Sequence, residues 1–507
     1  MLVWDDTATL VALLVAPMAA ALVAATIGPR FPVFTSRLGS VAAGAGFLLA
    51  AALTAGAARG EEATAATGVF AVAADRLAVA ALLLIFGVST VAQEFAVRYL
   101  AGDPRAWWFT GGASLLTAAS AVMVTATTLV GIAAGWTTAG IALCLLLGTY
   151  WHLPSARDGV RRAGLAFLIG DGALWVAVGL INVRTGTVDL ADLPAARLEG
   201  ALAPVVAVLI VVAALSRSAQ LPFHRWLPAT LAAPTPVSAL LHAGVVNAGG
   251  ILLIRLSPLP SPALAAGLLV VAGTTTMVYG AAVMLVKPDI KGALAYSTMA
   301  QMGFMILTCG LGLWAATVIH LVAHGFYKAT LFLSSGSAIA RHRRSTALPA
   351  APQQTGGRRR FSLLTAAVLP LAALYAATEL FPTWTHTHAA EQALLLFAWV
   401  TGAAATWGWL QRRPDIAGAL TAGAVLLPAA VGYVALISAA TTFLTPALPD
   451  TTAAPSAVWV TVIAAVLLLG ALASLRWSPA AAALRRAVYT HALSAGTIHP
   501  TTAGALR

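Results

Sequence analysis

The sequence predicts an all-α polytopic membrane protein with about 15 transmembrane helices. Three observations carry that class. Of 507 residues, 60% are hydrophobic and 9% charged, against roughly a quarter charged in a soluble chain. Apolar runs of about 20 residues, the length that spans a bilayer as a helix, follow one another nearly end to end. The basic residues, finally, gather in every second loop between those runs.

A window of roughly 19 residues centres the first six spans near Val15, Phe47, Ile85, Leu116, Leu143 and Trp175. The seventh starts near Leu202 and is predicted to break at Leu221-Pro222, because a proline removes a backbone donor and clashes with the preceding turn. Later spans centre near Leu241, Val271, Phe304, Phe326, Leu371, Trp399, Ala430 and Leu467. Loops after odd-numbered spans hold 20 Lys and Arg residues, from Arg30 and Arg37 to Arg485 and Arg486. Loops after even-numbered spans hold five: Arg59, Arg76, Arg184, Arg197 and Arg255. By the positive-inside rule the N-terminus, with Asp5 and Asp6, is expected outside the cell and the C-terminus in the cytoplasm. Those two aspartates stand where a signal peptide has its basic region, so no cleavable signal is expected.

The net charge of +12 follows from these short loops, so topology explains it and nucleic acid is not implied. The segment Arg341–Arg360, RHRRSTALPAAPQQTGGRRR, reads as a cytoplasmic loop beside anionic membrane lipid. Cys144 and Cys309 fall in different spans and read as small core residues, forming neither a disulfide nor a metal site.

The stretch Ser216–Gly250 concentrates what a membrane interior normally excludes: Arg217, His224, Arg225 and His242, with Pro222, Pro228, Pro234 and Pro236. Broken backbone at membrane depth is tolerated only inside protein or beside water, and ionisable groups there mark ion or substrate pathways. Arg217 reads as a fixed charge and His242 as a proton carrier; the plainer reading makes Arg217 a helix end in a structural pair. His320, His324 and Lys328, in IHLVAHGFYK, are spaced i, i+4, i+8 and share one helix face. With no carboxylate or cysteine nearby to complete a metal site, the stripe reads as a proton relay, or else as three polar groups satisfying one another in the core. Asp171, between two glycines of the sixth span, is placed to counter Arg217. Glu94 and Glu379 lie near span ends, where a solvated interface is expected. Asp289 and Lys291 are expected to mark a helix start, where a carboxylate suits the helix dipole. No nucleotide-binding loop, haem-attachment motif or catalytic serine motif is found. The chain is therefore expected to be a transporter subunit and not an enzyme, with no cofactor of its own, driven by an ion gradient or a partner.

Three motifs, SAQLPFHRWLPATLAAPTPVSALLHAG, DIKGALAYSTMAQMGFM and HLVAHGFYKATLFLSSGS, resemble the proton-translocating antiporter-like subunits of respiratory complex I. The resemblance is nearest to subunit 5 (the L-type subunit) and spans roughly residues 75–340. It implies two inverted five-helix repeats with broken helices, the second break falling near Pro370. The chain would then divide into N-terminal helices (1–105), a first repeat (106–256), a second repeat with the basic loop 341–360 (257–411), and C-terminal helices with a cytoplasmic tail (412–507). Arg217 falls on the family's half-channel lysine, His242 on the following helix's histidine, Asp171 on a Gly-Asp of the sixth helix, and His320, His324 and Lys328 on the central relay. Lys291, Asp289 and Glu379 are secondary candidates. The chain departs from the family at Thr137, in GWTTAG, where the family has a glutamate, and at Leu168, where it has an arginine.

Those departures, with HAGVVNAGG and VYTHALSAG, resemble the DabB branch, the membrane subunit of two-component inorganic carbon accumulation systems. That resemblance implies an ion-conducting, energy-coupling subunit in a bacterial inner membrane. Its partner would be a large soluble DabA-like protein, on the cytoplasmic side, resembling a zinc carbonic anhydrase. Zinc and catalytic residues would belong to that partner. The alternatives are a proton-pumping L-type subunit of an NADH–quinone oxidoreductase and the large subunit of a multisubunit cation/proton antiporter. Whether the coupling ion is H+ or Na+ stays open.

Overall fold

The computed structural model describes residues 6–67, 70–195, 198, 200–259, 263–337, 356–381, 389–449 and 482–495. The chain falls into two compact units, one of Met1–Gly312, His320–Ser335 and Ala464–Arg507, the other of Leu313–Ile319 and Gly336–Ile463. Among the described residues 11 helices are long and apolar enough to cross a membrane. Every predicted span centre from Val15 to Ala430 lies inside a helix, and Leu467 lies outside the described residues. The basic segment Arg341–Arg360 lies outside them too, as far as residue 355.

The first unit runs α1 (Asp6–Ile27), α2 (Pro32–Ala58), α3 (Arg76–Tyr99), α4 (Ala106–Thr125), α5 (Leu129–Leu147), α6 (Pro154–Thr185), α7 (Leu202–Arg217), α8 (Thr235–Ala243), α9 (Ala248–Arg255), α10 (Ala263–Met284) and α11 (Ile290–Gly310). It takes in α12 (Trp314–Leu333) from His320 onward. Small residues set how closely these helices pack, as expected where lipid offers no hydrophobic drive between them. Between α10 and α11, Gly273 and Gly280 lie against the backbone nitrogens of Leu307 and Ala300, and Gly303 lies against that of Met277. No side chain fits at these three points.

Loop contacts fix the alternation of the helices. At one end a hairpin of β1 (Thr64–Thr67) and β2 (Phe70–Ala73) bridges Ala126 through Val72, and Thr128 bridges Asp189. Arg255, ending α9, pairs there with Asp75, the residue that caps α3, and donates to the Val124 carbonyl. At the other end Tyr150 donates to Asp103, and Thr235 to the Tyr99 hydroxyl. The loops after even-numbered spans thus meet one another, and so do the loops after odd-numbered spans. The hairpin itself is short and alanine-rich, and nothing in the apolar pattern distinguishes it from a loop.

Two helices break at the centre. α7 ends at Arg217, four residues before the predicted point. The proline ring clashes with the carbonyl four residues earlier, so Pro222 blocks the ladder at Ser218, and Ala219 turns to φ 52°. The chain crosses the gap partly as a 3-10 stretch, Phe223–Thr230, before α8 begins. A second interruption, not predicted, separates α8 from α9 at Val245–Asn247. The two breaks meet: Ser218 Oγ donates to the Val246 carbonyl at 2.7 Å, and Gly249 packs on the Ala214 carbonyl.

In the second unit, α13 (Gly356–Glu379), α14 (Ala389–Leu410) and α15 (Ile416–Leu444) pack together. The break expected near Pro370 is absent, since α13 runs through it, with Pro370 buried against Gly402. The chain's last described helix, α16 (Ala482–Ala495), belongs to the first unit and packs on α10.

Candidate functional site

The ends of the broken helices hold two clusters of charge. In the first, Arg217 is fully buried at the end of α7. Its Nη2 donates to Asp171 Oδ1 at 2.7 Å and its Nη1 to the Trp136 carbonyl at 3.1 Å. The guanidinium carbon lies 4.4 Å from the Trp136 ring centre and 4.3 Å from that of Phe167. Trp136 Nε1 donates to the same Asp171 oxygen, at 2.7 Å. Gly140 makes room for this arrangement, because a Cβ there would come within 2.8 Å of Nη2. A buried charge persists only when paired and hydrogen-bonded; here an anion, a carbonyl and two ring faces enclose it. This is a fixed positive centre.

Sequence reasoning placed Asp171 opposite Arg217 but did not find Trp136, Phe167 and Trp226. Trp226 stacks edge-on to Phe167 at 5.0 Å and donates to the Ser216 carbonyl. The available signal was an aromatic beside each landmark: Trp136 in GWTTAG and Trp226 in FHRWLP. Thr137 accepts from Trp175 Nε1 at 3.1 Å. Leu168, 70% exposed, points outward.

The second cluster lies between α8, α11 and α12. His320, His324 and Lys328 form one buried stripe, as the spacing predicts. His320 stacks on His324 at 5.8 Å and meets Phe304 edge-on at 4.9 Å. Lys328 Nζ donates to Ser297 Oγ at 2.7 Å and approaches the Leu294 carbonyl at 3.5 Å. His242, at the end of α8, stacks on Phe332 at 4.2 Å and lies within electrostatic range of Lys328, Lys291 and His324. His242 thus joins the lysine–histidine stripe, while Arg217 joins Asp171. Both nitrogens of His324, Nδ1 of His242 and Oδ1 of Asn247 are buried without a protein partner. Such atoms call for ordered water. The Asn247 amide, also missed from sequence, donates to the Ala243 carbonyl at 2.8 Å and reaches the Leu321 carbonyl at 3.5 Å. It ties the interruption of α8 and α9 to α12 beside His324.

The secondary candidates are peripheral. Asp289 caps α11 by accepting from the Gly292 amide. Lys291 donates to the Ala233 carbonyl at 3.3 Å, holding the chain that leads into α8. Glu379 is exposed at the end of α13, in the second unit. Glu94 is half exposed and pairs with Arg37 and Ser40. Among the described residues no group of three or more His, Cys, Asp or Glu side chains could hold a metal.

Residues 126–353 match the family model described as NADH:quinone oxidoreductase/Mrp antiporter, TM. The chain is 35% identical over 340 residues to "Probable inorganic carbon transporter subunit DabB1" of Halothiobacillus neapolitanus, covering 63% of this chain and 61% of the relative. It is 36% identical over 282 residues to the corresponding DabB of Bacillus subtilis, covering 54% and 55%. To NADH-quinone oxidoreductase subunit L of Mycobacterium tuberculosis it is 38% identical over 278 residues, covering 53% and 44%. The matches thus span about half the length of these relatives. A structure titled as the Mrp complex from Dietzia sp. DQ12-45-1b shares the fold, with a TM-score of 0.64, 22% identity, and 96% of this chain and 60% of that chain covered. Residues 126–353, which hold both charge clusters, are thus similar to the antiporter-like membrane subunits of the complex I and Mrp family.

Proposed function

We propose that the chain is the ion-conducting, energy-coupling membrane subunit of an inorganic carbon uptake complex. The carrying observation is the buried stripe of His242, His324, His320 and Lys328 beside an interrupted helix. Buried nitrogen bases linked by ordered water can pass a proton along a helix face, and intramembrane titratable groups of this kind mark such routes. The fixed Arg217–Asp171 centre holds the broken end of α7 and biases the field at that depth. Similarity to two DabB subunits supports a role in carbon uptake.

On this reading the partner is a large soluble DabA-like zinc protein on the cytoplasmic side, and this chain conducts ions and does no bond chemistry. Its N-terminus lies outside and its C-terminus in the cytoplasm of a bacterial inner membrane. The test is to purify the tagged chain from native membranes, identify what co-purifies, and measure its zinc. A large zinc protein supports the proposal. A set of respiratory subunits supports the L-type alternative, which the similarity to subunit L favours.

A further inference from the structure

The outer surface of α5 and α6 carries a groove of about 690 Å³ that reaches Asp171 and, among the described residues, takes none of its lining from α12, the helix of the histidine stripe. Its walls are apolar, with Ile141, Leu145, Phe167 and Leu168, and Thr137 and Asp171 form its deep end. Leu168 and Ile141 are more than half exposed. The mouth has a different character. Trp108, Trp151 and Arg105 line it, and Arg157 and Arg161 stand exposed one turn before the lining residues Val160 and Gly164, on the same face of α6. From Val160 to Asp171 the helix rises about 16 Å at 1.5 Å per residue. That matches one leaflet, half of a hydrocarbon core about 30 Å thick.

We propose that this groove binds one acyl chain of an anionic phospholipid, with its phosphate held by Arg105, Arg157 and Arg161. Three arginines that form no ion pair among the described residues supply the charge complementarity, and interfacial tryptophans are placed at headgroup level. The side chain of Asp171 is 15% exposed toward the groove. A chain seated there covers the carboxylate with hydrocarbon, so that its charge is answered from the protein side, by Arg217 and Trp136. The inference does not rest on the proposed transport role, and binding can be read without flux.

The experiment is native mass spectrometry of the purified full chain, offered equal amounts of phosphatidylglycerol and phosphatidylcholine. The wild type should retain phosphatidylglycerol with at least a tenfold preference. Removing one arginine, as in Arg157→Gln, should lower that preference about fivefold, since a basic group near an anionic headgroup contributes about 1 kcal/mol. Gly164→Phe should lose the bound lipid while keeping the wild-type melting temperature, because a Cβ at Gly164 meets no neighbour within 4 Å and a ring built on it extends into the groove. Equal retention of both lipids by the wild type, or undiminished phosphatidylglycerol in Gly164→Phe, overturns the proposal. So does a membrane cross-link from Cys144, which lines the groove, to a polypeptide instead of lipid.

Discussion

Arg217 Nη2 and Asp171 Oδ1 lie 2.7 Å apart at the end of a broken helix, with the arginine side chain 1% exposed. Because the guanidinium is also held by the Trp136 carbonyl and two aromatic faces, lysine can restore the charge but not the fork. Arg217→Lys should keep part of the carbon-dependent growth. Arg217→Ala should lose it and destabilise the fold by about 3–5 kcal/mol, the cost of stranding a buried partner. The double variant Arg217→Ala, Asp171→Ala should recover stability without recovering growth. Equal growth of the Ala and Lys variants at equal protein levels would show that the charge is dispensable.

The clasp of Asp75 and Arg255 predicts a purely structural effect. Asp75 also accepts from the Ala78 amide as the cap of α3, so Asp75→Ala removes a cap and a charge-assisted pair together. The loss should be about 2–3 kcal/mol. It should appear as a melting temperature several degrees lower in detergent, with ion flux per folded molecule unchanged. An unaltered melting temperature would mean that the clasp contributes nothing.

Topology can be read with a membrane-impermeant thiol reagent. The 20-to-5 asymmetry of basic residues predicts Thr64 outside and Ser345 in the cytoplasm. Thr64→Cys should label from outside intact cells, and Ser345→Cys only after lysis. Equal labelling of both from outside would reverse the assignment of Ser345.

How much of this was legible in the sequence follows from which forces act at each position. Apolar length alone fixed the helices as far as α15, and the i, i+4 spacing put His320, His324 and Lys328 on one face. Pro222 announced the break in α7. By contrast, the interruption at Val245–Asn247 has no proline. It is held by tertiary bonds, Ser218 to Val246 and Asn247 to Leu321, which no local pattern reveals. Pro370 misled for the converse reason, since a proline inside a packed membrane helix can be accommodated by its neighbours. The cage of Trp136, Phe167 and Trp226 joins three separate segments and becomes visible only once they are folded together.

The central claim is that the α12 stripe carries protons. It is tested by proton flux into liposomes holding the purified complex, followed with a pH-sensitive dye under an imposed gradient. Lys328→Met removes the ammonium that bonds Ser297 while nearly keeping its volume, and His324→Phe keeps a ring on His320. Each should lower flux at least tenfold while the complex still assembles and melts near the wild-type temperature. Wild-type flux in both variants would contradict a proton route through the stripe.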